Sequence, residues 1–164
     1  MRLQSVRTRA RLVAPLRIAI AAAWLAVSVG AGARTGVALA AFAVGVVGVA
    51  FLALNDPRAR FASREPQPLP AGATFVVDPA WRQALSSLVP STAGLSVLAA
   101  IAVAPQPVLT ALLAGAVAGL GVAAAVALPR IDAELLVDPR RGTLYRPSLR
   151  SADAELDADR ARLG

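Results

Sequence analysis

The sequence contains no cysteine and no histidine. Disulfides, thiol nucleophiles, thiolate or imidazole metal sites and imidazole general bases are therefore excluded. Lysine is absent too: all seventeen basic residues are arginine. With the abundance of alanine, this points to a high-GC bacterium. Aromatic residues make up 4% of the chain and charged residues 16%, against about 25% charged in an average soluble domain. There is no P-loop, no GxSxG nucleophile elbow and no nucleic-acid recognition motif. Catalysis is left to carboxylates, arginines, hydroxyls or Tyr145. The ten acidic residues all lie outside the long apolar blocks, so the membrane-depth carboxylate that a proton relay needs is missing.

What is present is apolar sequence: 57% of the 164 residues are hydrophobic, gathered into four blocks with nearly all charges between or beyond them. That segregation marks a bilayer protein. We expect an all-α integral membrane fold with four transmembrane helices arranged as two antiparallel hairpins.

Residues 1–15 read as a basic lead-in, either a short interfacial helix or an arginine-rich arm, carrying Arg2, Arg7, Arg9 and Arg11. The first hairpin occupies 16–54. Its spans run from Leu16 to Ala33 and from Val37 to Leu54, joined by a tight turn at Arg34-Thr35-Gly36. Arg17, just inside the first span, is placed to snorkel towards headgroups. Ala31-Gly32-Ala33 resembles a signal-peptide cleavage site, but the second span begins too soon after it for that reading. Residues 55–78 form a polar, proline-rich loop ending in a strand at 74–77. The unit 79–128 starts as an amphipathic helix with Trp81 in the headgroup belt. Pro90 kinks it into a third span near 91–104, and a fourth follows from Val108 to Leu128. The tail, 129–164, holds a β-hairpin over 134–146, which pairing with 74–77 would extend to three strands. A helix capped by Ser151 closes the chain.

Sixteen arginines fall on one side of this arrangement and only Arg34 on the other. The positive-inside rule places both termini and the central loop in the cytoplasm and the protein in the cell membrane.

Gly115 and Gly119 form a GxxxG pair, and Gly45 with Gly48 makes a second small-residue patch. Both suit close helix packing within the chain, or a homo-oligomer or partner interface. Ser28, Ser96 and Thr110, hydroxyls inside the spans, are expected to bond back to their own helices. Arg2, Arg7, Arg9, Arg11, Arg140 and Arg141 suit anionic headgroups. Val76-Val77-Asp78-Pro79 is echoed by Leu136-Val137-Asp138-Pro139. The echo reads as Asp-Pro turn and N-cap chemistry used more than once. No cofactor, metal or nucleic acid is expected. The partners expected are the bilayer and a further membrane protein or a second copy. The sequence points to an accessory or scaffold subunit acting through its cytoplasmic face. The alternatives are a lipid-handling enzyme using Asp56, Asp78 or Asp138, or a transporter or channel subunit.

Overall fold

A computed structural model describes residues 2–56, 66–69, 75–138 and 143–147. The expected helix after Ser151, the turn at Gly142 and the side chains of Arg58, Arg60, Arg64, Arg140 and Arg141 lie outside them.

Four helical segments are long and apolar enough to cross a membrane: Val6–Gly30, Thr35–Asn55, Ala80–Ala102 and Pro107–Arg130. The chain opens with β1 (Arg2–Ser5) and passes directly into α1 (Val6–Gly30). Ser5 caps α1, its Oγ accepting a hydrogen bond from the Thr8 amide at 3.3 Å. The basic lead-in is thus neither an arm nor a separate helix but a strand followed by the first turns of the span. Ala31 to Arg34 turn the chain around, with Gly32 at φ 102°, a conformation that glycine adopts without steric penalty. Helix α2 (Thr35–Asn55) returns to the starting end.

After β2 (Val76–Val77) come α3 (Ala80–Leu88), one π-helical turn (Val89–Ala93) and α4 (Gly94–Ala102). The sequence expectation divided this stretch into an interfacial helix and a span over 91–104. Fourteen helical residues reach only about 21 Å, too short for a hydrocarbon core of about 30 Å. The structure carries the helix through Pro90 instead. Proline removes an amide donor and crowds the preceding turn, and the wider π turn accommodates it. The resulting helical run is 23 residues long, about 34 Å.

Helix α5 (Pro107–Ala127) is the best buried. It lies between α1 and α2, which are consecutive in sequence yet scarcely touch, and it also packs on α4. One cluster shows this directly: Ala21 of α1 and Val117 and Ala118 of α5 meet Phe42 and Val46 of α2 and Leu95 of α4. The side-by-side packing expected of the first hairpin is therefore replaced by two contacts with a shared central helix. Contacts ascend together along α2 and α5, Phe42 at Gly115 and Val46 at Gly119, so these two run parallel. Ser28 lies at Pro107 and Ala14 at Gly121, so α1 and α5 run antiparallel.

The strand at 76–77 does not pair with the hairpin, as the sequence had implied. β1 separates them in a four-stranded sheet of order β2-β1-β3-β4, with β3 at Leu136–Val137 and β4 at Leu144–Tyr145. β1 runs parallel to β2 and antiparallel to β3, and β3 and β4 are antiparallel. Gln67 continues the sheet beyond β4: its amide donates to the Leu144 carbonyl and its carbonyl accepts from the Arg146 amide. The leading pairs of the two echoing segments, Val76–Val77 and Leu136–Val137, become the strands flanking β1, running in opposite directions. Strand alternation gives the sheet two apolar faces. Leu3, Leu136 and Tyr145 are covered by Leu69 on one. Val6, Val137 and Leu144 pack with Ile131 and Leu135 on the other. Because β1 enters α1, β2 leads to α3 and β3 follows α5, the sheet sits at one end of the helices, opposite the turns at Arg34 and Gln106.

Candidate functional site: a polar seam between strand β1 and helix α3

The polar side chains with the most partners form a seam where β1, α1 and α3 meet. β1 lays Gln4 against the start of α3, and both Gln4 and Gln83 are buried, 3% and 2% exposed. Gln4 Nε2 donates to the Asp78 carboxylate at 3.3 Å and to Ser86 Oγ at 3.4 Å. Gln83 Nε2 donates to the Asp78 carbonyl at 2.6 Å. Ser86 and Ser87 hydroxyls donate to the Gln83 carbonyl. Asp78 in turn donates its amide to the Leu3 carbonyl at 2.9 Å, so β1 fixes the residue that precedes α3. The Oε1 atoms of both glutamines are buried without a partner. Rotating the Gln4 amide would point Oε1 at the Asp78 carboxylate, so electrostatics favours the orientation observed.

One helical turn further into the span the seam ends at Arg17. Its Nε donates to Thr92 Oγ1 at 3.0 Å, and its terminal nitrogen to Ser91 Oγ at 3.0 Å and the Ser87 carbonyl at 3.2 Å. The guanidinium does not snorkel to headgroups, as its position near the edge of the span had implied. It closes on the π turn, where three acceptors converge. Arginine's planar fork suits such a site.

Two of the three hydroxyls inside the spans, Ser28 and Thr110, also bridge helices instead of bonding back to their own. Ser28 of α1 donates to the Pro107 carbonyl of α5, and Thr110 of α5 donates to the Ala99 carbonyl of α4 at 3.2 Å. Their acceptors sit on the neighbouring helix, within reach because α5 is packed so closely.

Three of the four candidate packing glycines lie together where α2 meets α5. A Cβ on Gly45 would overlap the Leu112 carbonyl, and one on Gly115 the Phe42 carbonyl. One on Gly119 would come within 2.7 Å of the Val46 carbonyl. Gly48 faces open space. Gly121, outside that set, meets Ala14, Arg17 and Ile18 of α1. Among the candidate headgroup arginines, Arg2 and Arg11 are exposed and Arg7 and Arg9 half-buried. Beneath the helices, Arg146 pairs with Asp132 at 2.6 Å. The Asp132 carboxyl is held below its ordinary value, first by the Glu134 amide bonded to it and then by Arg146. Among the described residues, no three acidic side chains gather into a metal site, and Asp56, Asp78 and Asp138 are not brought together.

Sequence reasoning missed Gln4, Gln83 and the role of Arg17. A signal was present: Ser86, Ser87, Ser91 and Thr92 bracket Pro90 in an otherwise apolar run, and buried hydroxyls require partners. No protein-family model, curated protein or solved structure matches this chain. Its fold, four candidate spans with a small sheet at one end, must therefore be interpreted on its own geometry.

Proposed function

We propose that this chain is a non-enzymatic, multi-pass protein of the cell membrane, with both termini in the cytoplasm, acting as an accessory or scaffold subunit through its sheet. The carrying observation is the outer edge of β2. Val76 and Val77 are 67% and 46% exposed, and among the described residues no strand lies beyond them. The opposite edge, at β4, is covered by Gln67. An apolar strand edge left open on one side only is a template for strand addition by another chain. Alternate residues of a strand address its two neighbours. The Asp78 amide is bonded to β1, so the Val77 amide points outward. The orientation rests on the arginine asymmetry, since the helix ends that the sheet gathers are those flanked by arginine-rich sequence.

Photo-crosslinking from Val76 in native membranes, followed by mass spectrometry, tests the reading. A discrete partner should be captured, and Val77→Pro, which removes the outward donor, should abolish capture while leaving the β1 pairing intact. Recovery of lipid adducts alone would refute it. Single cysteines at Thr35 or Gln106 should label from outside and one at Glu134 should not; the reverse pattern would overturn the orientation.

A further inference from the structure

Beside the seam lies an open groove walled by Gln4, Asp78, Arg82, Leu85, Ser86, Val89 and Pro90. Its chemistry is divided. At the sheet end stand a carboxylate, a guanidinium, a hydroxyl and an amide. At the other end stand Leu85, Val89 and Pro90, which belong to the third candidate span. Leu85 and Val89 are both more than half exposed, so this end opens to the hydrocarbon that surrounds a span. The exposed Trp81, near the start of that candidate span, is of the type that sits at headgroup level.

We propose that this groove binds one phospholipid with a primary ammonium headgroup, of the phosphatidylethanolamine class. The acyl chains lie along Leu85, Val89 and Pro90. The phosphate meets Arg82, whose guanidinium lies over the Trp81 ring, 5.2 Å from its centroid, and is not paired with Asp78. The ammonium meets Asp78 and Ser86. Two observations select an amine at that end. Among the described residues Asp78 takes a side-chain donor only from Gln4, through a bond of 3.3 Å, which leaves acceptor capacity on the carboxylate. Gln4, in the same wall, also carries a buried Oε1 without a partner, an acceptor still lacking a donor. An ammonium brings three donors and a positive charge. One acid just before α3 and one base in its first turn match a zwitterion. An anionic glycerol headgroup would place hydroxyls alone against Asp78. A choline headgroup would bring charge without donors. This inference concerns the groove and stands apart from the open edge of β2.

The full-length protein in nanodiscs of mixed lipids, released into native mass spectrometry, reads the lipid that stays bound. Phosphatidylethanolamine, its N-methylated and N,N-dimethylated forms, phosphatidylcholine and phosphatidylglycerol serve as probes. Retention should fall stepwise with methylation, to about one tenth for choline, as expected for losing charge-assisted hydrogen bonds. Asp78→Asn should erase the discrimination among headgroups. Arg82→Gln should lower retention of ethanolamine and choline lipids alike. Equal retention of ethanolamine and choline lipids by the native protein would overturn the proposal, as would a preference for phosphatidylglycerol. So would an Asp78→Asn protein that keeps the native ranking. Displacement of the lipid by soluble phosphoethanolamine at matched concentration would refute a membrane-derived ligand. If Asp78→Asn does not fold, the methylation series on the native protein decides alone.

Discussion

Alanine at Gly115 and alanine at Gly48 should have very different consequences, although both glycines lie on apolar helices and only one methyl group is added. At Gly115 the new Cβ would occupy space held by the Phe42 carbonyl. Backbone cannot rotate aside as a flexible side chain can, so α2 and α5 must separate. Overpacking of this kind costs about 1–3 kcal/mol. In a bilayer no hydrophobic force between helices offsets the lost van der Waals contact. At Gly48 there is nothing within 4 Å, and alanine should change stability by no more than about 0.5 kcal/mol. The ranking follows the distances: Gly115 and Gly45 most severe, Gly119 next at 2.7 Å, and Gly121 mildest of the four at 3.0 Å. Gly45 and Gly115 press on one crossing, since a Cβ on Gly45 would lie 3.0 Å from the Gly115 carbonyl carbon. Once one substitution has spread the helices, the second has less left to disrupt. The double variant should therefore cost less than the two singles together. Denaturation in mixed micelles, followed by the fluorescence of Trp24 and Trp81, measures all five. A neutral Gly115→Ala, or a Gly48→Ala as damaging as it, would refute the assigned packing of α5 on α2.

Arg17→Ala should lower stability by about 1–3 kcal/mol, because the donor to Ser91, Thr92 and the Ser87 carbonyl is lost. Arg17→Lys should recover only part of it, since a compact ammonium cannot span the three acceptors; the same micelle denaturation distinguishes them. Asp132 supplies a pH dependence. Its folded pKa lies below the ordinary 3.8, so its contribution is full above that value and is lost as pH falls through the lower folded one. Hydrogen-exchange protection at Leu136 and Tyr145, corrected for the intrinsic pH dependence of exchange, should therefore fall on acidification below pH 4, and Asp132→Asn should flatten the response. Thr110→Val should loosen α5 from α4 by about 0.6–1.7 kcal/mol, the range for interhelical hydroxyl bonds in membranes.

The spans were legible because hydrocarbon thickness imposes a length and a composition that a sequence displays directly. The glycine pair in α5 was legible for the same reason, since close approach in lipid requires residues without side chains. Its partner surface was not: Gly45 and Gly48 look alike in sequence, and only the helix azimuth puts one against α5 and the other in the open. β1 was hidden because Arg-Leu-Gln-Ser carries one apolar residue and no alternation. It becomes a strand through neighbours more than seventy residues away at β2 and more than a hundred away at β3. The seam was hidden by the same distance. Gln4 and Asp78 are 74 positions apart, and nothing local to Gln4 gives it a reason to be buried.

The central place of α5 has a consequence for biogenesis. Membrane segments leave the insertion machinery in chain order, and the first two here have little to hold on each other. α1 and α2 cannot complete their packing, and the faces that meet α5 stay uncovered, until Pro107–Ala127 arrives and fills the space between them. The sheet waits as well, because β3 is made after α5. Assembly is thus gated by late synthesis, and a chain cut short before α5 would hold three helical segments without the one that joins them. Those uncovered faces would mark the failed product for membrane proteases.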